Sequence, residues 1–156
     1  MVVARFISVP TFDIYDEDTG LWAEPEQWWL EGEMIYQSAL LGEDGKPVLV
    51  KVPDNYSTDL ASIPRFPPFF RTLFIKNGKH RPAAVPHDFL CRMSYVGDYA
   101  DPMDAFPRRL ADRIFLEAME VVGVKRWQRY SMYWAVRTNT ERLILMGKAR
   151  KMRKAL

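Results

Sequence analysis

The apolar residues of this chain change their spacing once, near residue 80, and that change limits the folds open to it. Before it the pattern has the period of a half-buried strand. From Trp29 onward Glu31, Glu33 and Gln37 fall on one side, and Leu30, Met34 and Tyr36 on the other. "GEDGKP" is a turn of the Gly-Asp type and "VLVKVP" a returning strand, so residues 28–53 read as a hairpin. "ARFISVPTF" and "FDIYD" add β-branched and aromatic residues, with Pro10 marking an edge or a bulge. "TGLWAEPEQ", punctuated by Gly20 and Pro25, reads as a loop. A bare hairpin is marginal in water, so one face must be covered. After residue 80 the spacing is helical. "RPAAVPHDFLCRMS" follows the turn "KNGKH", and Pro82 or Pro86 suits a first helical turn, where the missing N–H costs nothing. "PRRLADRIFLEAMEVVG" sets Leu110, Ile114, Met119 and Val122 at helical spacing, with Gly123 as its stop. "KRWQRYSMYWAVRTNTERLILMGKARKMRKAL" offers Trp127, Tyr130, Trp134 and Ile144 as an apolar stripe, weakened in the middle by Thr138 and Asn139. Strands first and helices later predict an α+β fold: antiparallel strands or a hairpin, then a C-terminal bundle of about three helices. The expected organisation is one domain over residues 1–156, with strands mainly in 1–56, helices mainly in 82–148 and a basic tail at 149–156.

An apolar content of 48% with 13% aromatic residues is enough for a real core and argues against disorder. The single cysteine, Cys91, excludes an intrachain disulfide and fits a reducing compartment. The longest apolar runs fall far short of the roughly 18 residues of a membrane span. "MVVARFISVPTFD" lacks the apolar core and cleavage site of a signal peptide. A soluble protein made in the cytoplasm is the expectation. Its net charge of +2 hides an asymmetry: residues 1–46 hold two basic and ten acidic residues, whereas residues 125–156 hold ten basic residues against Glu141 alone. Such polarity can steer a polyanion to one end, or can simply be a solvated helix whose basic end suits its own dipole.

Three stretches carry groups able to do chemistry. His87 and Asp88 are adjacent at the predicted start of a helix, where a positive helix end favours an ionised Asp and a neutral His able to act as base or ligand. Their side chains point about 100° apart, so they share a pocket only at its rim. The plainer alternative is first-turn helix chemistry for Asp88 and a satisfied polar residue at His87. Asp112 sits among Leu110, Ala111, Ile114 and Phe115. If it faces inward it needs a partner, and His87 is the natural one; if outward, it pairs with Arg108, Arg109 or Arg113. Asp59, in "YSTDLASIPRF", either caps its own turn or joins Asp88 around a cation, with Ser62 and Arg65 lining the same pocket. His80, between Lys79 and Arg81, reads as exposed. Cys91 lies one turn after His87 and can share its side, though a small buried hydrophobe is the commoner role. Phosphate-binding glycine loops, a G-x-S-x-G elbow, zinc-finger spacing and His-Glu-x-x-His are all absent. A hard divalent cation such as calcium or magnesium, held by Asp88 and Asp59, remains open.

"STDLASIPR", "PAAVPHDFL" and "ADRIFLEAM", in that order, resemble a phage and prophage family of unknown function, domain family thirteen fifty-three. "VKVPDNY" and the "YWAVR" region extend the likeness to roughly residues 28–138. The matching residues are Thr58, Asp59, Ser62, Pro64, His87, Asp88 and Asp112. The resemblance implies a viral or prophage origin and carries no activity of its own. A looser likeness of site layout is to secreted phospholipases A2, whose roles would fall on His87 (activating water), Asp88 (binding calcium) and Asp112 (orienting the histidine). This chain lacks their glycine-rich calcium loop and disulfide framework.

Two functions follow as expectations. One is a hydrolase in which His87, oriented by Asp112, is the general base, while Asp88, with Asp59, holds a cation or polarises the substrate. The other is a non-catalytic virion component, in a tail or baseplate, whose His and Asp residues form a structural network. Its partners would be phage structural proteins or further copies of itself, and its place the host cytoplasm and then the virion. A third, weaker expectation is non-specific nucleic-acid binding through "GKARKMRK", which has no stacking aromatics beside it.

Overall fold

The computed structural model describes residues 2–13, 28–58, 79–93 and 107–154. Among the described residues six strands precede three helices: β1 (Arg5–Ser8), β2 (Thr11–Asp13), β3 (Trp28–Glu31), β4 (Met34–Leu41), β5 (Pro47–Val52), β6 (Ser57–Thr58), α1 (Arg81–Met93), α2 (Arg108–Val121) and α3 (Arg126–Lys154). The expected α+β order is therefore present.

The strands form two three-stranded antiparallel sheets, β1-β4-β5 and β2-β3-β6. Three pieces of chain each pass from one sheet to the other, so together they make one ribbon bent across its width. The bend has a residue-level cause on every strand. Pro10 lies between β1 and β2 and has no N–H to give to a ladder. Gly32 lies between β3 and β4 at φ +113, and an added Cβ there would stand 3.4 Å from the Pro10 ring. Asn55, at φ 58, turns β5 into β6. Asp54 Oδ1 accepts from the Gly32 N–H at 2.7 Å, tying two of the corners together. "WWLEGEMIYQSALL" is thus two strands rather than the single arm expected, because Gly32 breaks it. Its facing is as expected: Leu30, Met34 and Tyr36 are buried. The β4–β5 turn closes with the Gly42 N–H donating to the Lys46 carbonyl at 2.8 Å.

The helices cover the inner face of this ribbon. α1 packs on β5, and α2 on β4 and β1. The shared core joins Met34, Tyr36, Val50 and Val52 to Val85 and Leu90 of α1 and to Ile114, Phe115 and Met119 of α2. Glu117 fastens α2 to the sheet. It accepts from Tyr36 OH at 2.8 Å, Ser38 OH at 2.7 Å and the Ala39 N–H. Burial, then the bond to Glu117, holds the Tyr36 phenol well above its ordinary pKa. α2 ends as expected at Gly123, φ +75. Gly123 N–H bonds the Glu120 carbonyl and Val124 N–H the Met119 carbonyl, the paired bonds of a Schellman stop.

α3 packs chiefly against α2 and corrects the expected stripe. Trp127, Tyr130 and Trp134 are exposed, and the inward face is Met132, Ala135, Val136 and Thr140. The small Ala111 and Ala118 of α2 are fully buried. Thr138 does not interrupt the helix, because its hydroxyl bonds the Trp134 carbonyl at 2.8 Å. The helix continues to Lys154, so most of the expected tail is helical. No helix among the described residues is long and apolar enough to cross a membrane.

Candidate functional site

His87 and Asp88 lie inside α1, roughly a turn and a half beyond Arg81, rather than at a helix start. Pro86 did not mark the first turn. It stands inside the helix, where its missing N–H leaves the Pro82 carbonyl without the usual i→i−4 bond, and the helix begins before it at Arg81. The helix-end argument for a neutral histidine therefore falls away.

α1 and α2 run antiparallel, since His87 faces Asp112 while Cys91, one turn later, faces Arg108, one turn earlier. His87 Nε2 is 3.0 Å from Asp112 Oδ1. His87 is 7% exposed and Asp112 0%. The inward alternative for Asp112 is the one realised, because Asp112 shares the buried stripe of Ala111, Phe115 and Met119. Two of the three arginines that would have paired an outward Asp112 are engaged elsewhere. Arg109 binds Glu141 at 2.8 Å, and Arg108 donates to the Cys91 carbonyl. α3 completes the cluster. Thr140 OH donates to Asp112 Oδ1 at 3.3 Å, and Arg137 Nη1 lies 3.7 Å from Oδ2, which has no hydrogen bond. The His87 ring rests on Phe115, centroids 4.9 Å apart.

Burial alone would lower the His87 pKa. The hydrogen bond to Asp112, then that to Cys91, and the Asp112 charge outweigh it and raise the value to about 9. His87 is therefore an imidazolium at neutral pH, with one N–H committed to Asp112. Among the described residues no hydrogen bond reaches its Nδ1. Cys91 Sγ lies 3.6 Å from His87, on the expected side, but against the same Nε2 that Asp112 holds. The ring cannot relay between the two, because both use one nitrogen.

Asp88, 6% exposed, is turned away towards the sheet. Its Oδ2 accepts from Thr58 OH at 2.9 Å and Tyr56 OH at 3.3 Å, with Arg92 at 3.6 Å. Among the described residues two hydroxyls and a guanidinium approach this oxygen. Asp59, Ser62 and Arg65, with Pro64 and the rest of "DLASIPRF", lie outside the described residues, as does all of "TGLWAEPEQ". Among the described residues no three His, Cys, Asp or Glu side chains are placed to hold a metal. His80 is half-buried rather than exposed. Burial, then the Arg81 charge, lowers it to about 4.

The structure thus joins His87 to Asp112 and, back to back on the same helix, Asp88 to Thr58. Thr58, Tyr56, Arg137, Thr140 and Glu117 have roles that sequence reasoning did not assign. Thr140 and Glu117 carried the signal used for Asp112: a polar residue on the core-facing side of an apolar helix.

Neither the curated proteins nor the solved structures include a match to this chain. A family model described as "Protein of unknown function (DUF1353)" matches residues 28–136, the stretch that contains Thr58, His87, Asp88 and Asp112. That match covers well over half of the chain, and the protein belongs to this family of unknown function.

Proposed function

We propose that the chain is a hydrolase in which His87, positioned by Asp112, exchanges a proton with the substrate through Nδ1. The observation that carries this reading is the 3.0 Å bond from a histidine to a fully buried carboxylate. An acid on one ring nitrogen fixes the tautomer and orientation of the ring and directs the other nitrogen outward. The raised pKa alters the role expected from the sequence. At neutral pH His87 holds its proton, so it serves as a general acid towards the leaving group of an ester, amide or phosphoester while water attacks. Asp88 supports α1 from the sheet side and takes no part in the transfer. The test is a hydrolase substrate panel with wild type, His87→Gln and Asp112→Asn. Activity lost in His87→Gln, with a pH profile that falls above about 9 in wild type, supports the proposal. A profile that is unchanged in His87→Gln refutes it.

A second reading, a non-catalytic component of a phage assembly, is favoured by how widely the cluster is braced. Asp112 is contacted from both α1 and α3, and Asp88 ties α1 to β6. A network of this kind fixes helix positions whether or not any chemistry occurs. Wild-type fold and assembly with no hydrolysis of any panel member would favour it.

A further inference from the structure

α3 has a second face that the core does not use. Trp127 is 52% exposed, Tyr130 40% and Trp134 61%. At about 100° per residue the three fall within a sector of about 60°, some 120° round the helix from Thr140, which faces Asp112. Leu145, also exposed, lies on the same line nearer the C-terminus. The guanidinium groups of Arg126 and Arg129 each approach the Tyr130 ring, at 5.9 Å. The helix then runs on to Lys154 through Lys148, Arg150, Lys151 and Arg153. Residues 125–156 hold ten basic residues and one acid. That acid, Glu141, is held by Arg109 at 2.8 Å and Arg137 at 3.2 Å, so its charge is neutralised locally.

We infer that this face of α3 binds single-stranded nucleic acid, with bases stacked on Trp127, Tyr130 and Trp134 and the phosphate backbone drawn along the basic end of the helix. Charge complementarity selects a polyanion. The exposed flat rings select one with free base faces, which a duplex does not offer. A bilayer fits the face less well, because Thr138, Glu141 and Arg142 interrupt its apolar line. The sequence suggested only a basic tail without aromatics beside it. The outward turn of the tryptophans supplies the missing stacking platform on the same helix. The inference does not depend on His87 or on any hydrolysis.

The test uses the full chain and a fluorescent oligothymidylate, with anisotropy read from about 50 to 200 mM salt. The expected result is binding that weakens steeply with salt and is at least about ten-fold tighter than to a duplex of equal length. Trp127→Ala with Trp134→Ala should weaken it by about ten-fold or more, in a variant whose thermal unfolding shows that it is still folded. Ending the chain after Gly147 removes five basic residues at 148–154 and should flatten the slope of log affinity against log salt by about 3. No binding at low salt overturns the inference. So does equal affinity for duplex and single strand, or binding indifferent to the tryptophans. Two further results would assign the face to another occupant and also overturn it. One is self-association lost in the tryptophan variant without nucleic-acid binding. The other is binding to anionic vesicles alone.

Discussion

Replacing Asp112 by Asn keeps the shape of the side chain and an acceptor for His87, and removes the charge while turning one acceptor oxygen into an NH2 donor. The expected loss can be worked from the structure. A histidine with a folded pKa of about 9 and an unfolded value of about 6.5 contributes about 3 kcal/mol of stability. Because the folded value is the higher, that contribution is complete below pH ~6.5 and disappears as the pH rises through about 9. Asparagine removes the part of it that the Asp112 charge and charged hydrogen bond supply, while the bond to Cys91 remains. The bond from Thr140 and the attraction of Arg137 are also weakened, which adds about 1 kcal/mol independent of pH. The gap in unfolding free energy between wild type and Asp112→Asn should therefore be larger at pH 6, at most about 4 kcal/mol, and shrink to about 1 kcal/mol near pH 10. Urea unfolding of both proteins at four or five pH values measures it. A gap that stays constant with pH would mean that His87 is not held charged by Asp112, and the reasoning about the pair would fail.

Other substitutions test the surrounding structure. Asp112→Ala orphans His87 in the core and should cost roughly 3–5 kcal/mol by thermal or urea unfolding, and an unaffected protein would contradict the burial of the pair. Thr58→Val removes a donor from the buried Asp88 and should cost about 1–2 kcal/mol, read from the urea midpoint. Glu117→Ala leaves the Tyr36 and Ser38 hydroxyls without their acceptor and should cost about 3 kcal/mol, and a loss below 1 kcal/mol would show that water replaces it. Gly123→Ala places a Cβ on a residue at φ +75 and should cost about 1 kcal/mol, with no effect on any activity, since no other atom would touch it.

The strand and helix classes were legible because each face of the chain repeats its chemistry. Leu30, Met34 and Tyr36 alternate with polar residues, and Asp112 stands among the apolar residues of a helical stripe. An isolated charge inside such a stripe has few ways to be satisfied, so its partner could be named. Three features were hidden for physical reasons. The bend of the ribbon depends on Gly32 and Pro10 meeting across two strands, which no local pattern reports. The position of His87 in α1 turned on which of two prolines occupies the first turn, and either is acceptable alone. The face of α3 was misread because both sides of that helix carry apolar residues. Hydrophobicity favours burying Trp127 and Trp134, yet the buried face carries Met132, Ala135 and Val136 instead. Asp88 shows the limit of reasoning from adjacency: it neighbours His87 in sequence, yet its bonds lead to Thr58 and Tyr56, on the sheet side.

The central claim is that Asp112 holds His87 as an imidazolium with one nitrogen engaged. Histidine NMR tests it directly, because the chain contains only two histidines, expected to titrate far apart, His80 near 4 and His87 near 9. The account predicts a wild-type resonance with a midpoint near 9 that falls to 6.5 or below in Asp112→Asn. A wild-type His87 that already titrates at or below 6.5, or one whose midpoint is unmoved by the substitution, would contradict it.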